Sequence, residues 1–220
     1  MQAPFRLPNG KQRIAILGRT GSGKTLAALW HLSNANFDVQ PWVVVDYKTD
    51  EHIAGIERGQ IIDTSFIPKR PGLYIVQPEP DESLLDFFTA IWQRERIGVY
   101  VDEGYMIGED SGTEKRFKTL LTQGRSKRIP MIILSQRPAW ITRFVFSEAD
   151  FYQIFHLNDI RDQKTVEAFL PSGTYKRLPD YHSIYFDVGR NKTTYLAPVP
   201  MEDVLLDKIN ARLKPMRKIL

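Results

Sequence analysis

The 220-residue chain contains no cysteine. That excludes a disulfide framework, a thiolate metal site and a cysteine nucleophile, and it gives no sign of an oxidising compartment. Long apolar runs are also missing. None approaches the ~20 residues of a membrane helix, and the opening Met1-Gln2-Ala3-Pro4-Phe5-Arg6-Leu7-Pro8 lacks the apolar centre of a signal peptide. A cytoplasmic protein is the expectation. Histidine is scarce, and His31, His52, His156 and His182 show no metal-ligand spacing. Charge of one sign does not dominate either: the net charge is +4 and the pI about 9.2, which admits a nucleic-acid partner without demanding one. There is no internal repeat and no low-complexity segment. With 42% hydrophobic and 25% charged residues, the chain suits one α/β domain with a sizeable core.

The strongest positive signal is Gly18-Arg19-Thr20-Gly21-Ser22-Gly23-Lys24-Thr25. It lies between Arg13–Leu17, a short apolar strand candidate, and Leu26–Leu32, a helix candidate. That strand–loop–helix setting is what a phosphate-binding loop needs. The glycines let the backbone N–H groups converge on phosphate oxygens, and the helix adds the positive end of its dipole. In this reading Gly18 through Thr25 bind a nucleoside triphosphate. Lys24 reaches the β- and γ-phosphates, and the Thr25 hydroxyl serves Mg²⁺.

Apolar runs that read as parallel strands covered on both faces recur along the chain. Trp42–Val45 ends in Asp46-Tyr47-Lys48, where ligands of open α/β sheets bind, and Asp46 is assigned to the nucleotide site. Gln60–Asp63 and Leu73–Val76 are further strands, around a basic, rigid loop Pro68-Lys69-Arg70-Pro71-Gly72. Asp81-Glu82-Ser83 opens a helix to about Arg96, acidic at its start and basic near its end. Ile97–Val101 is a strand, followed by a helix from about Thr113 to Gly124-Arg125-Ser126-Lys127-Arg128. Met131–Leu134 and Asp150–Leu157 are strands, Arg161–Leu170 a helix, and Trp140–Phe146 is ambiguous. Tyr181–Val188 and Lys192–Ala197 read as a hairpin across Gly189-Arg190-Asn191. The expected organisation is an N-terminal arm (1–12), an ATPase domain (13–200) with a mainly parallel sheet flanked by helices, and a basic amphipathic helix with a tail (201–220).

Two strand ends add chemistry to the loop. Asp102-Glu103 follows Val99-Tyr100-Val101; the Asp102 carboxylate suits the nucleotide's Mg²⁺, and Glu103 suits orienting a water against the γ-phosphate. Ser135-Gln136 ends the Met131–Leu134 run, and Gln136 there can hydrogen-bond the γ-phosphate or the attacking water. Lys69, Arg70, Lys115, Arg116 and Lys118 are cations able to track a DNA backbone, though charge runs are more often solvated faces.

The ordered set Gly18–Thr25, Val45-Asp46-Tyr47-Lys48, Val99–Glu103, Gly124-Arg125 and Leu134-Ser135-Gln136-Arg137-Pro138 resembles the FtsK–HerA superfamily of DNA-pumping ATPases over roughly residues 12–170. The short length and the lack of a membrane segment look more like its compact viral branch, the genome-packaging ATPases of membrane-containing, double-jelly-roll-capsid viruses. The resemblance implies a RecA-like fold of the additional-strand, catalytic-glutamate class. It also implies a hexameric ring around double-stranded DNA with ATP and Mg²⁺ between subunits, and capsid or membrane-vertex proteins as partners. Such rings use an arginine from one subunit on its neighbour's γ-phosphate. Arg125 matches the family's position, with Arg128 and Arg143 as other candidates. Two alternatives stay open: an assembly ATPase of the filamentous-phage type that extrudes single-stranded DNA, and a nucleotide-gated adaptor with little turnover. The intact Asp102-Glu103 pair argues against the adaptor.

Overall fold

The computed structural model describes residues 5–79 and 81–213. A nine-stranded sheet in the order β3-β4-β2-β5-β6-β1-β7-β8-β9 runs through the molecule. Its parallel strands are β1 (Arg13–Leu17), β2 (Pro41–Val45), β3 (Gln60–Ile62), β4 (Gly72–Val76), β5 (Gly98–Val101), β6 (Met131–Ser135) and β7 (Phe151–Ile154). β8 (Ser183–Asp187) and β9 (Lys192–Leu196) then add antiparallel to β7 as the expected hairpin. Its turn closes through Asn191, left-handed at φ 47°.

Why the central strands are continuously apolar is visible in their packing. Ala15, Val43, Val99 and Ile133 point to one face, and Ile14, Val44, Tyr100 and Ile132 to the other. Period-two alternation therefore feeds two cores, one on each side of the sheet. The first is covered by α3 (Leu85–Arg94), through Phe87, Phe88 and Ile91, and by α4 (Ser111–Gln123), through Phe117, Leu120 and Leu121. The second is covered by α1 (Lys24–Ser33) and by α7 (Glu202–Arg212), through Leu205 and Ile209. Each large apolar side chain buried this way contributes roughly 1.5–3 kcal/mol relative to exposure. The remaining helices are short: α2 (Glu51–Ala54), α5 (Phe144–Ser147) and α6 (Ile160–Glu167).

Several boundaries differ from the sequence reading. α3 starts at Leu85, not at Asp81, because the intervening groups are engaged elsewhere: Glu82 accepts from Thr64 Oγ1 at 2.5 Å, Ser83 Oγ donates to Asp110, and Leu84 N donates to Thr113 Oγ1. It stops at Arg94, where Glu95 and Arg96 both turn to positive φ. The ambiguous 140–146 stretch resolves into a 3₁₀ turn, Pro138–Trp140, and α5. Residues 5–12 are not a free arm. The Arg6 guanidinium clasps Asp187 at 2.7 and 2.9 Å, and the Tyr185 hydroxyl donates to Arg6 O. Nor does α7 stand apart: Arg212 donates to the carbonyls of Ser33 and Ala35 at 2.7 and 2.8 Å, at the C-terminal end of α1. The basic tail beyond Leu213, like residues 1–4, lies outside the described residues.

Candidate active site

Strand order brings the three sequence signals together. β6 lies between β5 and β1, so the strand ends carrying Asp102-Glu103, Gln136 and the Gly18–Thr25 loop stand side by side at one end of the sheet. This is the extra strand between the phosphate-loop strand and the carboxylate strand that the resemblance implied. It occupies the kind of crevice outside parallel strand ends where α/β proteins bind ligands.

The loop is held from both sides. Gly18 N donates to Ser135 O at 3.3 Å and Arg19 N to His156 O at 2.9 Å. A Cβ on Gly18 would lie 2.6 Å from Phe155 Cβ, so only glycine lets the chain enter the loop this close to β7. Gly23, at φ 96°, turns the chain into α1 and leaves the helix N-terminus free of a side-chain cap. The Ser22 hydroxyl is buried without a protein partner among the described residues. Lys24 is buried, its ammonium donating to Arg19 O at 3.0 Å. Burial lowers its pKa, against the pull of Glu103 and Asp102. Thr25 follows on the first turn of α1.

Facing the loop is a dense acidic cluster. Asp102 and Glu103 are both buried. Burial, then the charges of Glu103 and Asp50, push the Asp102 carboxyl up to about 7. Glu103 has φ 53°, a left-handed conformation rare for a residue with a side chain. One of its oxygens receives the Lys48 ammonium at 2.5 Å; the other lies 3.4 Å from Gln136 N. Burial works against the Lys48 charge, but its hydrogen bond and ion pair with Glu103 outweigh this and raise its pKa. Gln136 joins the groups: it accepts from the Thr20 hydroxyl and sits 3.5 Å from the Tyr105 hydroxyl. Tyr105 in turn packs edge-on against Trp140, which is 61% exposed and carries the Arg137 guanidinium over its ring.

Asp46, expected at the nucleotide, has its oxygens engaged by protein groups, mostly of its own loop. It accepts from Lys48 N, from Asp50 N and from the Gln77 side chain, which makes it a scaffold for the loop after β2. Arg125 and Arg128 lie at the other end of the sheet, ahead of β6. Arg125 pairs with Asp150, the residue before β7. A five-residue strand separates them from the phosphate loop of their own chain, about 16 Å at 3.3 Å per residue. Arg143 stands at the start of α5, beside the Phe169 ring. Two site neighbours have no site role in the sequence reading. Lys48 enters it only as part of a motif and Tyr181 only as a hairpin residue, yet the Tyr181 ring comes within 3.2 Å of where a Cβ on Gly23 would sit.

A nucleotide with Mg²⁺ fits these residues. Buried carboxylates face the loop, and the loop offers an unpartnered hydroxyl and a helix N-terminus with no side-chain cap. Mg²⁺ is commonly held by one or two protein oxygens together with phosphates and waters. No cluster of three or more metal-binding side chains occurs among the described residues.

Among curated proteins, the DNA packaging ATPase P9 of Enterobacteria phage PRD1 is 48% identical over 219 residues, covering 94% of this chain and 95% of P9. The chain belongs to the P9 family of DNA packaging ATPases. No family model matches it. The genome packaging NTPase B204 of Sulfolobus turreted icosahedral virus 2, solved with ATP-gammaS, superposes with a TM-score of 0.70. That match is 16% identical and covers 88% of this chain and all of B204. The second and third ATPase modules of EssC from Geobacillus thermodenitrificans superpose at 0.64 with 12% identity, covering 92% of this chain and 43% of theirs. At such identities these structures speak to the fold alone, a P-loop ATPase domain shared by viral packaging and FtsK/EssC-type proteins.

Proposed function

We propose that this chain is an ATP-driven translocase of double-stranded DNA that packages a viral genome, hydrolysing ATP between the subunits of a ring. The observation that carries this reading is the convergence of the phosphate loop, Asp102-Glu103 and Gln136 at adjacent strand ends, in a member of the P9 family. Lys24 and the loop amides of Gly18–Thr25 hold the triphosphate, with Lys24 leaving the Arg19 carbonyl for phosphate oxygens. Thr25 and Asp102 hold Mg²⁺, which when bound neutralises charge developing on the phosphates. Glu103 orients a water in line with the γ-phosphate. Gln136, touching both the loop and Tyr105, is placed to pass the state of the γ-phosphate to the loop that bears Trp140.

Arg125 serves as the arginine acting on a neighbouring subunit. Its distance from its own loop leaves it no role there, and it is more than half exposed. Arg128 lies beside it, and Lys115 and Arg116 on α4 are candidates for the DNA backbone. Capsid or membrane-vertex proteins would anchor the ring. The single-stranded-DNA export and adaptor readings are not favoured, since neither matches the family's packaging ATPase.

The test is ATP turnover of the full chain with and without duplex DNA, alongside its mass in solution with nucleotide. Turnover stimulated by DNA, oligomers formed with ATP, and a 10²-fold or greater loss in Glu103→Gln with ATP binding kept are the expected results. A monomer whose turnover ignores DNA overturns the ring motor.

A further inference from the structure

We propose that Lys48 is the positioning residue for Glu103: it fixes the carboxylate that aligns the attacking water, without itself touching the nucleotide. The inference rests on the reading of Glu103 given above. It starts from the loop after β2. Asp46 is almost wholly buried and gathers that loop, accepting from Lys48 N at 3.3 Å and from Asp50 N at 3.1 Å to each oxygen. Thr49, at φ 53°, completes the reversal. The ends of β2 and β5 are tied by Asp102 N donating to Val45 O at 2.9 Å. Asp46 thus sets the backbone of Lys48 at a fixed height beside the end of β5, and its ammonium meets Glu103 Oε1 at 2.5 Å.

Glu103 needs such a hold. At φ 53° its side chain leaves the direction that the pleat of β5 would give it, and no regular element sets its rotamer. Its carboxylate is braced from two flanking strands, by Lys48 beyond β2 and by the Gln136 amide beyond β6. Two anchored oxygens fix the plane of the carboxylate, and that plane decides which lone pair faces the water. Displacement of an aligned group by about 1 Å costs on the order of 10²-fold in rate. The motif Asp46-Tyr47-Lys48 then has one purpose: Asp46 shapes the loop and Lys48 delivers the cation.

The experiment compares Lys48→Met, Lys48→Arg, Glu103→Gln and the double variant Lys48→Met/Glu103→Gln of the full chain. Single-turnover ATP hydrolysis is read separately from equilibrium binding of a fluorescent ATP analogue. Expected are a loss of about 10- to 100-fold in the hydrolysis rate of Lys48→Met with analogue affinity within about twofold, and partial recovery in Lys48→Arg. The double variant should be no slower than Glu103→Gln. A wild-type rate in Lys48→Met with Glu103→Gln impaired overturns the role of Lys48 alone. Equal losses of affinity and rate, or losses that multiply in the double variant, do the same. An unimpaired Glu103→Gln overturns the reading of Glu103 and this proposal with it. Should Lys48→Met lose its thermal transition, Lys48→Gln, which keeps a polar side chain of similar length, takes its place in every comparison.

Discussion

Asp102 shows what the site costs an empty protein. Its folded-state pKa of about 7 stands above the ordinary 3.8, so above pH 7 the fold holds an ionised carboxylate against burial and against Glu103 and Asp50. A carboxylate with a raised folded pKa stabilises the fold only while protonated, and that contribution is lost as pH rises through about 7. Asp102→Asn is therefore expected to stabilise the nucleotide-free protein at pH 8 by on the order of 1–3 kcal/mol, seen as a higher melting temperature, while abolishing turnover. Thermal melts at pH 8 and pH 5 check the sign, since the gain should shrink at the lower pH, and it vanishes only below the ordinary carboxyl value of 3.8. The same carboxyl competes for Mg²⁺ with a proton. The apparent Mg²⁺ affinity of the ATP complex should weaken up to about tenfold per unit as pH falls below about 7, read by Mg²⁺ titration of analogue binding.

At the scale of elements, α1 does two things at once: its first turn carries Lys24 and Thr25, and its last carries a buried anchor. His31 bonds Gln153 of β7 through Nε2 at 2.7 Å, and burial lowers its pKa to about 4. Between pH 6.5 and 4 the unfolded chain takes up a proton that the folded helix refuses, so stability should fall with pH across that window. His31→Gln keeps a partner for Gln153 and should flatten the slope, measured as urea midpoints at pH 7 and 4.5. On the far side of α1, Ile209 of α7 is fully buried, and Ile209→Ala should cost about 2–5 kcal/mol without removing ATP binding. Elements of this kind were legible in the sequence where one segment carries its own signal. The phosphate loop is contiguous, the Asp102-Glu103 pair ends an apolar run, and the strands are apolar throughout because both faces are covered. What stayed hidden depends on which strands become neighbours. Lys48 and Glu103 are 55 positions apart and meet because β2 pairs β5. Tyr181 reaches Gly23 because β8 adds to β7, and Asp46 reads as a ligand until its own loop is seen to use it. The delayed start of α3 is of the same kind, since Thr113 and Asp110 of a later segment claim Leu84 and Ser83.

At the scale of the whole molecule, the phosphate loop and Arg125 occupy opposite ends of the parallel strands. A site made from both joins unlike ends of two copies, a heterologous contact that closes into a ring or runs on as a filament. Lys24→Ala and Arg125→Ala should each be inactive, and mixing the two should restore part of the turnover. In a mixed assembly some intact loops face intact arginines. No recovery on mixing, after dissociation and reassembly, would exclude a shared site. In the proposed ring, the ion pair between Arg125 and Asp150 bears on the same contact, because a neighbour's phosphates would have to draw the guanidinium away from a carboxylate that already neutralises it. A further consequence concerns direction. The backbones of a DNA duplex are antiparallel and look alike from either end, so the duplex cannot tell a motor which way to pull. In the ring proposed above, a chain whose loop and arginine sit at opposite poles would supply that missing arrow itself: every copy would point the same way around the axis, one face would meet the incoming DNA first, and reversing the travel would require a different protein rather than a different substrate.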